Sequence, residues 1–262
     1  MQIEFYKYHG TGNDFIILDN RTNQYEGLSE LEIKSMCHRR FGIGADGLMM
    51  LCIEEGYDFR MKYYNADGKE GSMCGNGGRC LVQFAYDMGI KKDTYHFIAV
   101  DGPHDAVIKI NGLIGLKMQD VNSIQLNDTD VILNTGSPHF IRFVDNIKTV
   151  DVFTEGRTIR NSDAYKEHGI NVNFVEKQEH SIKLRTYERG VEDETLSCGT
   201  GATAAAIAYA TQLGVNKVPI EVQGGLLEVE FNRFSENECN EIWLTGPAKY
   251  VFSGTIDSTL LT

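Results

Sequence analysis

Alternating hydrophobic and polar positions predict short β-strands along most of this chain. Residues 3–8 alternate, and residues 15–19 form a short apolar run. Further strands are predicted at residues 48–53, 59–64, 95–100, 107–110, 114–118, 131–135, 169–176, 181–187, 218–222, 226–231 and 241–244. The segment DGPHDA at residues 101–106 is predicted to be a turn.

Four segments are predicted to be helical. Residues 28–40 have helical periodicity with Ser29 as N-cap, and residues 157–166 are predicted to form a short helix. Two further helices follow Cys74 and Cys198. The second covers residues 201–213, is rich in small residues, and ends before a glycine that can serve as its stop.

The two cysteine segments belong to an internal repeat. CGNGGRCLVQFAYDMGI begins at Cys74, and CGTGATAAAIAYATQLGV begins at Cys198. Upstream, TGNDFII begins at Thr11 and TGSPHFI at Thr135, and each threonine precedes its cysteine by 63 residues. Between them, RMKYYN at residues 60–65 parallels KLRTYE at residues 183–188. Three matches in one order indicate two structurally equivalent halves, each with a cysteine at an equivalent helix N-terminus.

The predicted fold class is α/β (α+β), with two pseudo-symmetric domains at residues 1–122 and 123–262. Each domain is expected to be mostly sheet around a central helix, and the last strand of the chain is a candidate to pair back onto the first domain. Two such halves facing each other would form a cleft with one thiol on each wall, which is the predicted active site.

Composition excludes several functional classes. The net charge of −12 argues against a nucleic-acid partner and against docking on anionic lipid. The sequence has no apolar run near 18 residues and no secretory leader, so we expect a cytoplasmic protein without a membrane partner. Its six cysteines lack metal-site spacing and are expected to be reduced thiols, and we expect no metal site.

The segment GIGADG at residues 42–47 formally matches a dinucleotide-binding fingerprint. That fingerprint requires a strand before it and a helix after it. Here a helix is predicted before it and a strand after it, so we reject a nucleotide site.

A cysteine at a helix N-terminus lies where unpaired N–H groups and the positive end of the helix dipole favour the thiolate. A thiol and a thiolate can remove a proton from one face of a carbon and return one from the other face. Helix N-termini can also hold the negative charge that develops next to that carbon. This chemistry suits inversion of an amino acid and requires no cofactor.

Several motifs together resemble those of the diaminopimelate epimerase family: HGTGNDF, GIGADGL, YNADG, MCGNGGRC, TGSPH, NVNF, YERG and ETLSCGTGA, between about residues 8 and 205. The resemblance implies interconversion of LL- and meso-diaminopimelate, on the route to lysine and bacterial peptidoglycan. It also implies two similar domains, each a β-barrel-like sheet around a central helix, an enzyme that uses no cofactor, and commonly a homodimer.

The resemblance also implies roles for residues at both helix starts. Cys74 matches the proton donor and Cys198 the acceptor, and reversibility makes these labels interchangeable. The backbone groups that match those holding the carboxylate at the reacting centre belong to Gly75, Asn76, Gly199 and Thr200.

Other matches concern tuning and substrate contact. His139 and Glu188 match residues that tune the thiols and orient the reacting amine. The remaining substrate contacts implied by the resemblance are Asn13, Asn65, Asn171 and Arg189, of which Arg189 suits a bidentate grip on the distal carboxylate. Ser137 departs from the asparagine of many members, and Gly47 from the glutamine of some, so the grip on the distal end stays open.

Two alternatives remain open from the sequence. One is racemisation or isomerisation of another amino acid, of the proline, hydroxyproline or histidine type, on the same scaffold. The other is a non-enzymatic redox sensor in which Cys74 and Cys198 form a disulfide.

Overall fold

The computed structural model describes residues 2–127 and 129–261, except for the side chain of Gln212. The described strands are β1 Gln2–Gly10, β2 Asn13–Asp19, β3 Gly47–Cys52, β4 Arg60–Asn65, β5 Thr94–Ala99, β6 Gly102–Ile108, β7 Ile114–Lys117, β8 Ile124–Leu126, β9 Asp130–Asn134, β10 Pro138–Val144, β11 Asn171–Lys177, β12 Ile182–Glu188, β13 Asp193–Thr195, β14 Lys217–Val222, β15 Gly225–Arg233, β16 Cys239–Gly246 and β17 Lys249–Asp257. The described α-helices are α1 Glu30–Cys37, α2 Gly75–Asp87, α3 Val152–Arg160 and α4 Gly199–Leu213.

The chain divides into two compact units. Unit 1 comprises Met1–Leu116 and Pro247–Thr262, and unit 2 comprises Lys117–Gly246. The final strand β17 belongs to unit 1, where it pairs antiparallel with β1. The predicted mixed α/β class with two domains is therefore the class of the structure.

The strands of unit 1 pair in an alternating pattern. β1 is antiparallel to β2, β2 is parallel to β3, β3 is antiparallel to β4, and β4 is parallel to β5. β5 and β6 are then antiparallel, as are β6 and β7. Each parallel step needs a crossover connection, and α1 and α2 lie in these two connections.

Unit 2 repeats this pattern. β9 is antiparallel to β10, β10 is parallel to β11, β11 is antiparallel to β12, and β12 is parallel to β14. Antiparallel pairs β14–β15 and β15–β16 follow, and β8 pairs with β9 as β17 pairs with β1. The sequence repeat therefore corresponds to a repeat of strand pairing, with α2 and α4 in equivalent crossovers.

The helices α2 and α4 form the core of their units. In α4 the residues Ala202 to Ala208 are fully buried, because small side chains let strands approach the helix on several sides. In α2 ten of the thirteen residues are buried, including its whole first turn. The predicted stop of α4 is confirmed, since Gly214 caps it in the left-handed conformation with φ 69°.

The helix predicted at residues 28–40 is shorter in the structure. Ser29 caps α1 as predicted, in a reciprocal capping box with Glu32. The helix ends at Cys37 because the chain then folds back over its end. Ile43 and Gly44 both donate their backbone N–H to the carbonyl of Met36, and Ala45 donates to that of Cys37. The last carbonyls of the helix are therefore satisfied without a further turn.

The helix predicted at residues 157–166 is displaced. The observed helix α3 begins after Asp151, whose carboxylate accepts from the N–H of Thr154 at 3.1 Å. It ends at Arg160 and is capped by Asn161, whose side chain donates to the carbonyl of Arg157 at 2.8 Å. The prediction was wrong because it missed the N-cap at Asp151.

The turn predicted at residues 101–106 is also wrong. Most of this segment belongs to β6, in which Pro103 pairs with Ile98 of β5. The neighbouring strand β7 pairs with β6 from Ala106 onwards. Pro103 therefore lies beside one partner strand, where its missing N–H is tolerated.

Candidate active site

Cys74 is the N-cap of α2 in unit 1. Its extended backbone and the hydrogen bond from the N–H of Gly78 to its carbonyl, 2.7 Å, start the helix. The thiol is partly buried and lies 3.7 Å from Oδ1 of Asn13. Backbone N–H groups in the first turn, including those of Gly75 and Asn76, have no acceptor within the helix and can serve an anion.

Asn13 connects this helix start to the loop before β3. Its Oδ1 also accepts from Nδ2 of Asn76 at 3.2 Å, and its Nδ2 donates to Asp46 at 2.6 Å. The structure therefore brings together three of the predicted site residues, Asn13, Cys74 and Asn76, in unit 1.

Ion pairs hold the Asn13 segment in place. Asp14 binds Nζ of the buried Lys7 at 2.6 Å and the guanidinium of Arg39 at 2.6 Å, and Arg39 also binds Asp46. Burial pushes the pKa of Asp14 upwards, but hydrogen bonds from Arg39 and Lys7 outweigh it and lower the pKa to about 2. The loop is therefore tied to β1 and β2 by charge.

A fully buried arginine lies beneath the first turn of α2. Arg79 donates to the carbonyl of Gly75 at 3.3 Å, to Oγ1 of Thr11 at 3.3 Å and to Oδ1 of Asn76 at 2.9 Å. These acceptors are neutral. Burial lowers the pKa of Arg79, but a guanidinium stays protonated at neutral pH. The site of Cys74 therefore includes a buried positive charge.

Asn65 lies at the end of β4, opposite Gly47 in the β3–β4 pair. A methyl group added at Gly71 would come within 2.9 Å of its Nδ2. Beside Gly47, the ring of Tyr63 and the carbonyl of Tyr64 both lie 2.6 Å from the position of an added Cβ. The side chain of Tyr63 therefore occupies the space that a larger residue at position 47 would need.

Cys198 is the N-cap of α4 in unit 2. Its carbonyl accepts the first helical hydrogen bond, from the N–H of Ala202 at 2.8 Å, and its thiol is buried. Its Sγ lies 3.5 Å from Oγ1 of Thr200, whose carbonyl accepts from Thr135 at 2.9 Å. Gly199 is the first helical residue, so the predicted carboxylate-holding backbone again forms a helix start.

His139 lies on β10 and is fully buried. Burial, followed by the positive charge of Arg189, lowers its pKa to about 3. Its Nδ1 is 3.1 Å from Nδ2 of Asn173, which lies on β11. His139 is therefore neutral and held by a side-chain amide.

Glu188 ends β12 and accepts from Oγ1 of Thr195 at 2.9 Å. Asn171 is buried, and its Nδ2 donates to Oγ of Ser137 at 2.8 Å while its Oδ1 accepts from the N–H of Arg189 at 2.9 Å. The guanidinium of Arg189 reaches the same hydroxyl at 3.4 Å. Ser137, Asn171 and Arg189 thus form one cluster in unit 2.

Four other cysteines lie outside these helix starts and are buried: Cys37, Cys52, Cys80 and Cys239. Burial raises the pKa of each of these thiols. Across residues 2–127 and 129–261, no cluster of three or more His, Cys, Asp or Glu side chains could hold a metal ion. No helix in the described part of the chain is long and apolar enough to cross a membrane.

The model of the family described as diaminopimelate epimerase matches residues 5–122 and 131–251. The chain belongs to the diaminopimelate epimerase family. A protein of that name from Flavobacterium psychrophilum is 51% identical over 257 residues, 97% of this chain and 100% of that protein. Another from Chlorobaculum tepidum is 42% identical, over 94% of this chain and 98% of its own length.

Family membership makes the chain an enzyme of the isomerase class. Solved structures with the same fold include a phenazine biosynthesis protein of the PhzF family from Bacillus anthracis, with TM-score 0.75, 19% identity and coverage of 98% and 99%. A probable proline racemase from Agrobacterium radiobacter matches with TM-score 0.69, 14% identity and coverage of 97% and 93%. At these identities the likeness concerns the fold alone.

Two polar residues at the candidate site were not predicted from the sequence. Arg79 lies within the motif MCGNGGRC, and Asn173 within NVNF, but neither was singled out. For Asn173 the signal was available, because this polar residue lies between the apolar Val172 and Phe174 in a buried strand. For Arg79 the signal was its place on the buried face of a helix that starts with small residues.

Proposed function

We propose that this member of the family interconverts LL- and meso-diaminopimelate without a cofactor, by proton transfer between one α-carbon and the two thiols of Cys74 and Cys198. The observation that carries the proposal is the duplicated helix start. Each unit ends an extended segment with a cysteine and follows it with a glycine-opened, buried helix. Family membership supplies the substrate.

The proposed reaction balances in two proton transfers. The thiolate of one cysteine takes the α-proton, which leaves a carbanion at the α-carbon and a neutral thiol. The thiol of the other cysteine then gives its proton to the opposite face and becomes a thiolate. The stereocentre is inverted and the two cysteines have exchanged roles, so the reverse reaction uses the same groups.

The charge of the carbanion spreads onto the adjacent carboxylate, which we assign to the helix N-terminal N–H groups of Gly75, Asn76, Gly199 and Thr200. Glu188 would orient the reacting amine, with Asn13 and Asn65 as further substrate contacts. Arg189 would bind the distal carboxylate, assisted by the hydroxyl of Ser137. The contacts among Ser137, Asn171 and Arg189 support this assignment, because they fix the guanidinium beside a hydroxyl.

The resemblance further supports a place on the route to lysine and peptidoglycan, a cytoplasmic location and a homodimer. Light scattering of the purified chain tests the dimer directly, since a monomer has a mass of 29.4 kDa.

The experiment that tests the function is solvent exchange. The enzyme is incubated under reductant in deuterated water with LL- or meso-diaminopimelate, and α-deuterium is measured by mass spectrometry. Wild type is expected to label the substrate and equilibrate the epimers. Cys74→Ala and Cys198→Ala are each expected to lose at least about 10³-fold in epimerisation rate.

Matched controls are Cys52→Ala and Cys239→Ala, one in each unit, which remove buried thiols away from the helix starts. These variants should retain epimerisation. Loss of activity in the controls alone, or exchange into proline but not into diaminopimelate, would overturn the proposal. A redox sensor predicts no α-proton exchange under reductant, so any exchange there excludes it.

A further inference from the structure

The orientation of the Asn173 side-chain amide is fixed by its neighbours. Its Nδ2 lies 3.1 Å from the carbonyl of Phe140 and 3.3 Å from that of Asn171, and both can only accept hydrogen bonds. Its Oδ1 accepts from Oγ1 of Thr186 at 2.9 Å. The nitrogen, a donor, must therefore be the atom that faces Nδ1 of His139.

This orientation determines the tautomer of His139. The amide has two N–H groups, and its two nearest acceptors, both at 3.1 Å, are the carbonyl of Phe140 and Nδ1 of His139. Since Nδ1 accepts from the amide, it carries no proton. The ring is buried on all sides and close to the positive Arg189, which disfavours the imidazolium. The single ring proton is therefore on Nε2. Among residues 2–127 and 129–261, that nitrogen has no hydrogen-bond partner, although it is buried.

Asn173, which contacts His139, lies against the first turn of α4. A Cβ added at Gly201 would lie 2.6 Å from Oδ1 of Asn173 and 3.3 Å from Sγ of Cys198. The amide and the thiol thus lie against the same glycine. Glycine at this position lets Asn173 approach the helix start so closely.

The equivalent positions in unit 1 are apolar or aromatic. When the strand pairings of the two units are superimposed, His139 corresponds to Phe15, Asn173 to Met49, and Thr186 to Tyr63. The fold of a unit therefore forms without this polar triad. A buried donor left without a partner costs about 1–3 kcal/mol, so its retention at one helix start points to a ligand or charged group that it serves.

We propose that Asn173 is a positioning residue that holds His139 as a neutral Nε2–H donor for an anionic acceptor at the Cys198 helix start. The acceptor is either the substrate carboxylate or the thiolate of Cys198. In this state His139 offers no lone pair to a carbon-bound proton, so it is not the base. The inference rests on the proposed epimerisation for the identity of the acceptor, whereas the tautomer does not depend on it.

The tautomer is measured by long-range ¹H–¹⁵N correlation NMR on enzyme labelled at its seven histidines, with His139 assigned through His139→Gln. Wild type is expected to show Nδ1 bare and Nε2 protonated throughout pH 5 to 9. Asn173→Asp replaces the donor by an acceptor, so Nδ1 should become protonated. A proton on Nδ1 of the wild-type ring would overturn the proposal.

The control is Thr186→Val, which removes the hydrogen bond to Oδ1 but keeps Nδ2 of Asn173 beside His139. Thr186→Val should leave the tautomer unchanged, with kcat within about threefold of wild type. If both variants change the tautomer alike, Asn173 has only a structural role and the proposal fails. Urea unfolding of each variant checks that it is folded.

Measurements of kcat provide a second test of the donor role of His139. Glutamine places a nitrogen donor near the position of Nε2, whereas leucine provides none. His139→Gln should lose about tenfold in kcat and His139→Leu about 10²-fold or more, and equal losses would contradict a donor role. If the NMR result holds while diaminopimelate is not a substrate, the proposed function fails and the tautomer inference stands.

The two possible acceptors are distinguished in Cys198→Ala. If substrate binding still shifts the Nε2 resonance in that variant, the acceptor is the carboxylate. If a pH-dependent shift in the free enzyme disappears in that variant, the acceptor is the thiolate. Both results support the donor role, and the absence of any shift in either case contradicts it.

Discussion

The two helix starts share one backbone design and differ in the groups beneath it. At each, a cysteine caps a buried helix, and the residue five positions later donates to the carbonyl of the first helical residue. In unit 1 that donor is the buried cation Arg79, and in unit 2 it is the neutral Thr203, whose Oγ1 donates to Gly199 at 3.0 Å. The duplication has kept the geometry and changed the charge.

The residues that pack against each helix differ in the opposite direction: they are apolar in unit 1 and polar in unit 2. The Cys74 helix packs on Phe15 and Met49, and its charged network lies at Asn13 and the loop beyond it. The Cys198 helix packs on Asn173, whose amide contacts His139. We therefore expect the two thiols to have different environments, although the proposed reaction uses each of them both as an acid and as a base.

The largest effect is expected for Asp14→Asn, which breaks the ion pairs of unit 1. It leaves the buried Lys7 without its carboxylate, so the free energy of unfolding at pH 7 should fall by about 3 kcal/mol. Urea unfolding measures this. Unit 2 has Pro138 at the equivalent position, so no such charge is available there.

The difference in free energy of unfolding between wild type and Asp14→Asn should depend on pH, because the pKa of Asp14 is lowered in the folded protein. A carboxyl whose pKa falls on folding stabilises the fold above its unfolded value near 3.9, and this contribution is lost as the pH falls towards about 2. The gap between wild type and Asp14→Asn should therefore close between about pH 4 and pH 2. A constant gap would show that Asp14 acts by packing alone.

The two units should also contribute unequally to binding of the distal carboxylate of the substrate. The repeat makes Ala66 of unit 1 the equivalent of Arg189 in unit 2. Arg189→Ala should raise the KM for diaminopimelate about 10²-fold, the equivalent of about 3 kcal/mol for two charge-assisted hydrogen bonds. Ala66→Ser is the matched control and should leave KM within about twofold. An unchanged KM in Arg189→Ala would place the distal carboxylate elsewhere.

Equivalent glycines test the packing difference. A Cβ at Gly77 would meet the flexible end of Met49 at 3.0 Å, whereas one at Gly201 would meet Oδ1 of Asn173 at 2.6 Å. Gly201→Ala should lower the free energy of unfolding by about 2 kcal/mol. Gly77→Ala should change it by less than about 1 kcal/mol, because alanine's helix propensity offsets a small shift of Met49. Equal effects measured by urea unfolding would contradict the comparison.

The smallest effect concerns the charge under Cys74. Arg79→Gln should slow alkylation of Cys74 at pH 7 about tenfold, because a nearby cation favours the thiolate. Arg79→Lys keeps the charge and should retain most of the rate. Thr203→Val, the neutral counterpart, should not change alkylation of Cys198. A normal rate in Arg79→Gln would mean that the helix start alone sets the reactivity of the thiol.

The sequence allowed prediction of what depends on local pattern. Repeated Cys-Gly segments predicted the two helices, and alternation predicted most strands, because these signals lie within a few residues of each other. The N-cap at Asp151 is also a local signal, and the prediction overlooked it. The strand through Pro103 was missed because tertiary pairing overrides local propensity. Short strands such as Ile124–Leu126 gave no usable pattern at all.

The candidate site also has one part that local sequence predicted and another that depends on the fold. The internal repeat pointed to Cys74 and Cys198, and the motif resemblance added roles for them and for the glycines that follow them. The link from Lys7 through Asp14 and Arg39 to the loop at Asp46 joins residues up to 39 positions apart, and only the fold brings them together. The close approach of Asn173 to Gly201 is equally non-local, and no spacing rule connects a strand residue to a helix start in this way.

The measurement that bears most directly on the two-thiol account is the early distribution of deuterium. LL-diaminopimelate is incubated with wild-type enzyme in deuterated water and stopped after less than about a tenth of the reaction. The account predicts deuterium at the α-carbon of the meso product and almost none in the recovered LL substrate, because different thiols remove and return the proton. Equal labelling of substrate and product would show a single base and contradict it.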